Sequence, residues 1–486
     1  MRNLEEVLRE NYILWNQREY AYEKVDGFYQ AVTYGTFLDN ARKLALWLMK
    51  QGFKGNSIMI YGDNSINLMT ADLAVLHYVG ISVCVSKEWH EPEIIRAVKQ
   101  LNISCILYGE EKREVIAAVQ EKLPECTYIC MSSFAEVFEE GGFEQEAGSC
   151  EPKDAESCCK IVFSSGTTSV PKAVMLSEKN MLAGLDPLYR RCPLNEDDVD
   201  YLFLPLSHTY GGIYNFIYSL VFGFRLYLCS GVSNMAQELQ EVNPTIFCGV
   251  PLIYKRFYEQ SGDNLSVAFG NRIKYLFCGG AHFEEKIRRT YKECGLNMLE
   301  AYALSETAST FSIQYSGDEE TQSVGTVAEE LDVKILAPDE RGVGEIVVRG
   351  DSVFLGYAGE PELTAAVFTE DGYFRTGDLG FLRPDDQHGG FRLYLSGRIG
   401  RVLIGENGEN VDPEHIEKFI CEGDHNIVKT LVYLEQGRLA CKLYLKEPTD
   451  RDWEVFFEEV NAALPAFEQI RTWHLAIDGG EERWKQ

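Results

Sequence analysis

Between Ser57 and Gly109 short apolar runs alternate with longer segments of helical period, and this alternation constrains the fold more than any other feature. "SIMIYG" (Ser57–Gly62), "GISVCVS" (Gly80–Ser86) and "ISCILYG" (Ile103–Gly109) have the length of buried strands. Between them "INLMTADLAVLHYVG" (Ile66–Gly80) is long enough for a helix, and "EPEIIRAVKQL" (Glu91–Leu101) sets Ile94, Ile95, Val98 and Leu101 at helical spacing. A βαβ rhythm of this kind predicts a mostly parallel sheet covered by helices. At 486 residues the chain is too long for one core, and two or three domains are expected.

The segment Phe134–Ser157, rich in Glu and Gly, reads as a linker. After about residue 400 the character changes. "GENGEN" (Gly405–Asn410) is a turn-rich tip, and a helix is expected to begin near Pro413. "IVKTLVYLE" and "RLACKLYLK" alternate like strands of a small antiparallel sheet, while "DWEVFFEEVNAAL" puts Trp453, Phe456, Phe457, Val460 and Leu464 on one helical face. This predicts a compact α+β module at the C-terminal end.

The formal charge of −29 narrows the ligands. Such a chain repels nucleic acid and anionic lipid in bulk, so a phosphate ligand must be held by local cations or a metal. "GGIYNFIYSLVFGF" (Gly211–Phe224) runs 14 residues without a charge, against the roughly 20 that a bilayer requires, and reads as a buried core helix. No membrane span is expected. The 14 cysteines show no zinc-binding spacing. "MRNLEEVLREN" lacks the apolar run of a secretory signal, so free thiols in a cytoplasmic protein are expected.

"IVFSSGTTSVPKAV" (Ile161–Val174) has the composition of an anion cradle at the end of a strand. It is not a Walker loop: Pro171 has no N–H to donate, and Ala173 cannot ligate a metal. Gly166 nevertheless lets backbone N–H groups converge, and Ser164, Ser165, Thr167 and Thr168 add hydroxyl donors. A solvated loop between strand and helix is the alternative reading. Farther on, "YALSETAS" (Tyr302–Ser309) sets an aromatic, a hydroxyl and Glu306 within five residues. "YFRTGDLG" (Tyr373–Gly380) puts Asp378 in a Gly-rich turn, and "LSGRIGR" (Leu395–Arg401) supplies Arg398.

Taken with "LPLSHTYGG", "CGGAHF", "GEIVVRG", "LGYAGEPELTAAVFTEDGYFRTGDLG" and "SGRIGRVLIGENGENVDPEHIE", these motifs stand in the order of the acyl- and aryl-adenylating superfamily. The chain resembles that superfamily over nearly its whole length, and "NGENVDPEHIE" and "PTIFCGVPLIYKRFYE" look most like its long-chain acyl-CoA synthetase branch. The resemblance implies a large N-terminal α/β domain with a smaller β subdomain, residues 1–397. It also implies a small, mobile α+β domain, residues 398–486, turning about a hinge at Gly400.

It implies as well a two-step reaction. A carboxylate attacks the α-phosphorus of ATP and releases pyrophosphate, and a thiol then displaces AMP. The thiol would be coenzyme A or the phosphopantetheine of an acyl carrier protein. In this scheme Ser164 to Thr168 and Lys172 hold phosphates, and Glu306 with Ser164 positions Mg²⁺. Tyr302 and Ser305 flank the adenine, which approaches backbone at Gly279, Gly280 and Ala281. Asp378 accepts from the ribose hydroxyls, and Arg398 reaches ribose or phosphate. His208 lies where adenylate meets the acyl pocket.

The chain departs from the family pattern in several places. Ser169 and Ala173 stand where glycine is usual, and Gly400 where relatives often carry Asp or Lys. The catalytic lysine of the last turn has only Lys485 as a counterpart, in "AIDGGEERWKQ". A degenerate adenylate-binding protein is therefore the alternative to an active ligase. Amino-acid-activating relatives typically carry an Asp just after the histidine-region strand. No acidic residue lies between Leu204 and Tyr218, which together with Tyr210, Tyr214 and Phe216 favours a fatty or aryl acid.

Overall fold

The computed structural model of the protein describes residues 3–139, 150–164, 171–261, 264–280, 285–308, 310–318, 320, 322–399, 403–404, 410–411, 413–435, 438–464 and 468–477. The chain forms two compact units. One comprises Met1–Val333, Val348–Phe374 and Arg383–Tyr394; the other comprises Lys334–Val347, Arg375–Leu382 and Leu395–Gln486.

The first unit contains a seven-stranded sheet built from the predicted βαβ segments. Its order is Gly356–Tyr357, Lys172–Ser177, Cys158–Ser164, Ile81–Val85, Ser57–Tyr61, Cys105–Tyr108 and Thr127–Cys130. The last five are parallel, while Lys172–Ser177 runs antiparallel to Cys158–Ser164. Ile94 and Val98 of the helix Glu91–Leu101 are buried, as their spacing predicts. The helix at Ile66 keeps α geometry only to Leu73 and continues as a π-helix over Ala74–Val79. It ends at Gly80, where only glycine fits, since a Cβ there would stand 2.0 Å from the carbonyl oxygen of Asn56. The expected linker is partly structured: Phe134–Glu139 is a helix whose Phe134 and Val137 are buried. Burial of that apolar pair outweighs the local excess of Glu.

A second sheet in this unit includes six parallel strands, in the order Met298–Ala303, Tyr275–Cys278, Ile246–Gly249, Val199–Leu202, Arg225–Leu228 and Glu19–Val25. The uncharged run folds as a π-helix, Tyr210–Ile217, followed by an α-helix, Tyr218–Phe222, with Ile213, Phe216, Ile217 and Leu220 buried. Among the described residues no helix is long and apolar enough to cross a membrane.

In the second unit Ile427–Glu435 and Arg438–Leu445 pair antiparallel, as their alternation predicts. A third strand, Thr472–Ile477, lies parallel to Arg438–Leu445. The intervening helix Trp453–Ala463 explains the parallel pairing, since a crossover of this length returns the chain in the same direction. Trp453, Phe456, Phe457, Val460 and Leu464 fill the core between sheet and helices, and Asp452 caps the helix.

Candidate functional site

The hydroxyl-rich loop connects two antiparallel strands, with Ser164 opposite Lys172 at its base. The expected strand-to-helix connection is thus replaced by a β-hairpin. "KAVMLS" pairs on both sides, with Cys158–Ser164 and with Gly356–Tyr357, and these ladders outweigh any helical tendency. Ser165, Gly166, Thr167 and Thr168 lie outside the described residues.

At the base of this hairpin Lys172 holds its ammonium 5.1 Å from the centre of the Tyr357 ring. The Tyr357 hydroxyl donates to Glu306 Oε1 at 2.9 Å. The Glu306 carbonyl accepts from Phe354 N–H at 2.8 Å, so the residue is fixed at both backbone and side chain. It sits in a tight 3₁₀ turn, Ser305–Thr307, where Thr307 Oγ1 donates to the Leu304 carbonyl and accepts from Leu304 N–H. The next residue, Ala308, is buried at φ +58°, a costly conformation for a residue with a Cβ. Glu306 Oε2 has no hydrogen-bond partner among the described residues. A half-buried carboxylate with one oxygen committed and the other open suits a hard cation carried on a polyphosphate.

A second group of residues surrounds His208. Asn64 accepts from Leu206 N–H at 3.1 Å and donates to the Leu204 carbonyl at 2.8 Å, which pins "LPLSH" to the loop after Ser57–Tyr61. The His208 carbonyl accepts from Gly212 N–H at 2.7 Å. The glycine is needed there because a Cβ at Gly212 would stand 2.4 Å from the Leu206 carbonyl oxygen. His208 is exposed on one side, yet the surrounding protein desolvates it enough to lower its imidazole pKa. Tyr210 crosses behind it and donates to the Phe277 carbonyl at 2.9 Å, against Gly279. Gly279 and Gly280 follow the strand Tyr275–Cys278, Gly280 at φ +85°; Ala281 lies outside the described residues. Tyr302, on the adjacent strand, is largely buried and meets Phe311 edge-on at 4.6 Å. A cavity of about 370 Å³ flanks the His208 turn, lined by Asn64, Cys84, Lys87, Phe203, Ser207 and Cys229 among others. The buried Ser207 hydroxyl has no partner among the described residues.

The second unit carries its own pair. Arg398 Nε lies 3.2 Å from Asp378 Oδ1, and Asp378 N–H donates to Thr376 Oγ1. Gly377, at φ +74°, turns the chain so that its carbonyl accepts from Ile399 N–H. Gly400 and Lys485 lie outside the described residues. Tyr357, Asn64 and their bonds escaped the sequence reading. Tyr357 sits inside a motif already noted and Asn64 between two noted segments, but a Tyr or Asn in a loop carries no mark of its distant partner.

An acidic residue also escaped it. Asp200 lies four residues before Leu204, buried on the strand Val199–Leu202, and accepts from Asn215 Nδ2 at 2.6 Å. Burial raises its pKa from 3.8 to about 7. Between these values the folded protein holds a proton that the unfolded chain has released, so this group's contribution to stability falls as pH rises through that window and levels off above it. Asp200→Asn cannot ionise and loses this slope. Its melting temperature should gain on the parent's by roughly 2–5 °C between pH 5 and pH 8. A gap independent of pH, followed by scanning calorimetry, would contradict the assignment.

Residues 15–358 match the model of the AMP-binding enzyme family, and the chain belongs to that family. It is 25% identical over 471 residues to the long-chain-fatty-acid–CoA ligase heimdall of Drosophila melanogaster, covering 80% of this chain and 67% of that protein. It is also 25% identical over 440 residues to a malonate–CoA ligase of Arabidopsis thaliana, covering 82% and 71%. The fold is that of the O-succinylbenzoate coenzyme A synthetase of Bacillus subtilis, solved with ATP and magnesium ion. The two superpose with a TM-score of 0.81 at 20% identity, over 97% of this chain and 95% of that one.

Proposed function

We propose that the protein activates a fatty or aryl acid with ATP and Mg²⁺ to an acyl-adenylate, releases pyrophosphate, and passes the acyl group to coenzyme A. The observation that carries this reading is the joined set Lys172, Tyr357 and Glu306 at the base of the hydroxyl-rich hairpin. It sets a cation and a carboxylate with an open oxygen beside a loop rich in donors, which suits a magnesium-bound polyphosphate. Ser164 would share the metal with Glu306, and Ser305 and Tyr302 would border the base. Asp378 and Arg398 supply an acceptor and a donor for ribose. The neutral His208 stands at the join of adenylate and acyl group.

The cavity beside the His208 turn, with half-exposed Lys87 in its lining, offers the thiol a path and a cation for its phosphates. A carrier protein's phosphopantetheine is the alternative acceptor. A domain boundary at residues 397/398, with rotation about Gly400, would let the smaller domain serve both half-reactions. ATP–pyrophosphate exchange over a panel of carboxylic acids, followed by thiol addition, tests the whole reading. Exchange preferring a free amino acid, or no exchange with any acid, would overturn it.

The size of the acid turns on Tyr210. Its ring occupies the space between the His208 turn and Gly279, held by the bond to Phe277. On this reading the acyl tail runs toward Tyr210, and longer acids would have to displace its ring. Tyr210→Ala should shift the kcat/KM preference toward longer acids by about tenfold or more, the worth of one or two methylenes in an apolar pocket. An unchanged chain-length profile would remove Tyr210 from this role.

A further inference from the structure

The strand that enters the hydroxyl-rich loop carries a buried charge. Lys160, four residues before Ser164, is fully enclosed, as is Asp72 on the helix Ile66–Leu73. Lys160 Nζ donates to Asp72 Oδ1 at 2.8 Å and to Oδ2 at 2.6 Å. Ser82, the register partner of Lys160 on the neighbouring parallel strand, donates its hydroxyl to Asp72 Oδ1 at 2.5 Å. Burial drives the lysine toward neutrality, but Asp72 more than offsets this and its pKa stays above the ordinary value. The lysine stem also runs close to Gly212, where a Cβ would lie 3.7 Å from Lys160 Cε. Gly212 in turn bonds the His208 carbonyl. One ion pair therefore backs both the loop strand and the His208 turn.

A fully buried pair is a poor source of stability, because the cost of desolvating both charges takes up most of their attraction. Its distinctive property is direction. Two bonds from one ammonium to both oxygens of one carboxylate fix where the strand lies along its axis, since a shift would separate the charges in a dry interior. We propose that Asp72, Lys160 and Ser82 are positioning residues that set the height of the strand Cys158–Ser164 and of the His208 turn, and so the affinity for ATP and the rate of adenylation. This rests on the proposed ATP-dependent function.

The test compares the parent with Ser82→Ala, Ser82→Thr and the apolar double variant Asp72→Leu/Lys160→Met, using full-length protein. Melting temperature, direct ATP binding and ATP–pyrophosphate exchange are the readouts. The double variant should melt within a few degrees of the parent, bind ATP about tenfold or more weakly, and keep its KM for the acid. Ser82→Ala should follow in the same direction by about threefold, with Ser82→Thr restoring the parent value. A folded double variant with parent ATP affinity and exchange rate overturns the inference. A double variant that does not fold overturns it too, because the pair then holds the domain rather than the strand. A parent protein that binds no ATP overturns the proposed function and this inference together, whereas a parent that binds and variants that match it overturn the inference alone.

Discussion

Glu306→Gln is expected to slow acyl-adenylate formation by about 10²–10³-fold, the cost of losing one charge-stabilising group in a preorganised site. The substitution is close to isosteric. The amide oxygen can still accept from the Tyr357 hydroxyl, and the Glu306 carbonyl keeps its bond to Phe354, so the 3₁₀ turn and strained Ala308 should remain in place. What changes is Oε2, which becomes an amide donor where the proposed site would hold a cation. Binding of ATP–Mg²⁺ and charge development at the phosphates both suffer. The melting temperature should stay near the parent's. Exchange at ordinary magnesium concentration measures the effect directly, and an unchanged rate would remove Glu306 from the metal site.

Lys485→Ala should separate the two half-reactions. In a chain of net charge −29, bringing a polyphosphate to a carboxylate requires cations besides the metal. A lysine that arrived only in the adenylating arrangement would stabilise the charge that develops there, and would depart before the thiol step. Its removal should therefore cut adenylation by about 10²–10³-fold and leave thioester formation from pre-made adenylate nearly untouched. Equal loss in both steps points to damaged folding. No loss in either makes Lys485 a bystander and leaves another cation to serve adenylation.

Period and order in the chain carried most of the architecture. The strands at Ser57, Ile81 and Cys105 and the helix at Glu91 were legible because each is a short apolar run or a clean helical stripe whose burial decides its state. The same holds for Trp453–Ala463, where five large apolar side chains share one face. Motif order pointed to the adenylate-forming family; Glu306 lies in a fixed turn and Lys172 and Arg398 at strand ends, whereas Asp378, expected in a turn, lies inside the strand Phe374–Pro384 because its backbone pairs there. The linker reading failed at Phe134 because local composition does not register what two apolar side chains can bury against.

Tertiary structure alone decided the rest. Nothing in "KAVMLS" announces that two neighbouring ladders will hold it as a strand, which makes the hydroxyl-rich segment the connection of a hairpin. The third strand of the small sheet depends on a crossover helix for its direction. Tyr357 meets Glu306 across 51 positions of sequence, and Lys160 meets Asp72 across 88. Periodicity reports which face of an element is apolar, so the chain by itself determined those strands and helices whose apolar pattern is complete, and motif order pointed to the family. A polar side chain inside an apolar run has no period to report. Whether it is a solvated accident, a buried acid like Asp200 or half of an ion pair is set by the group that folding brings against it.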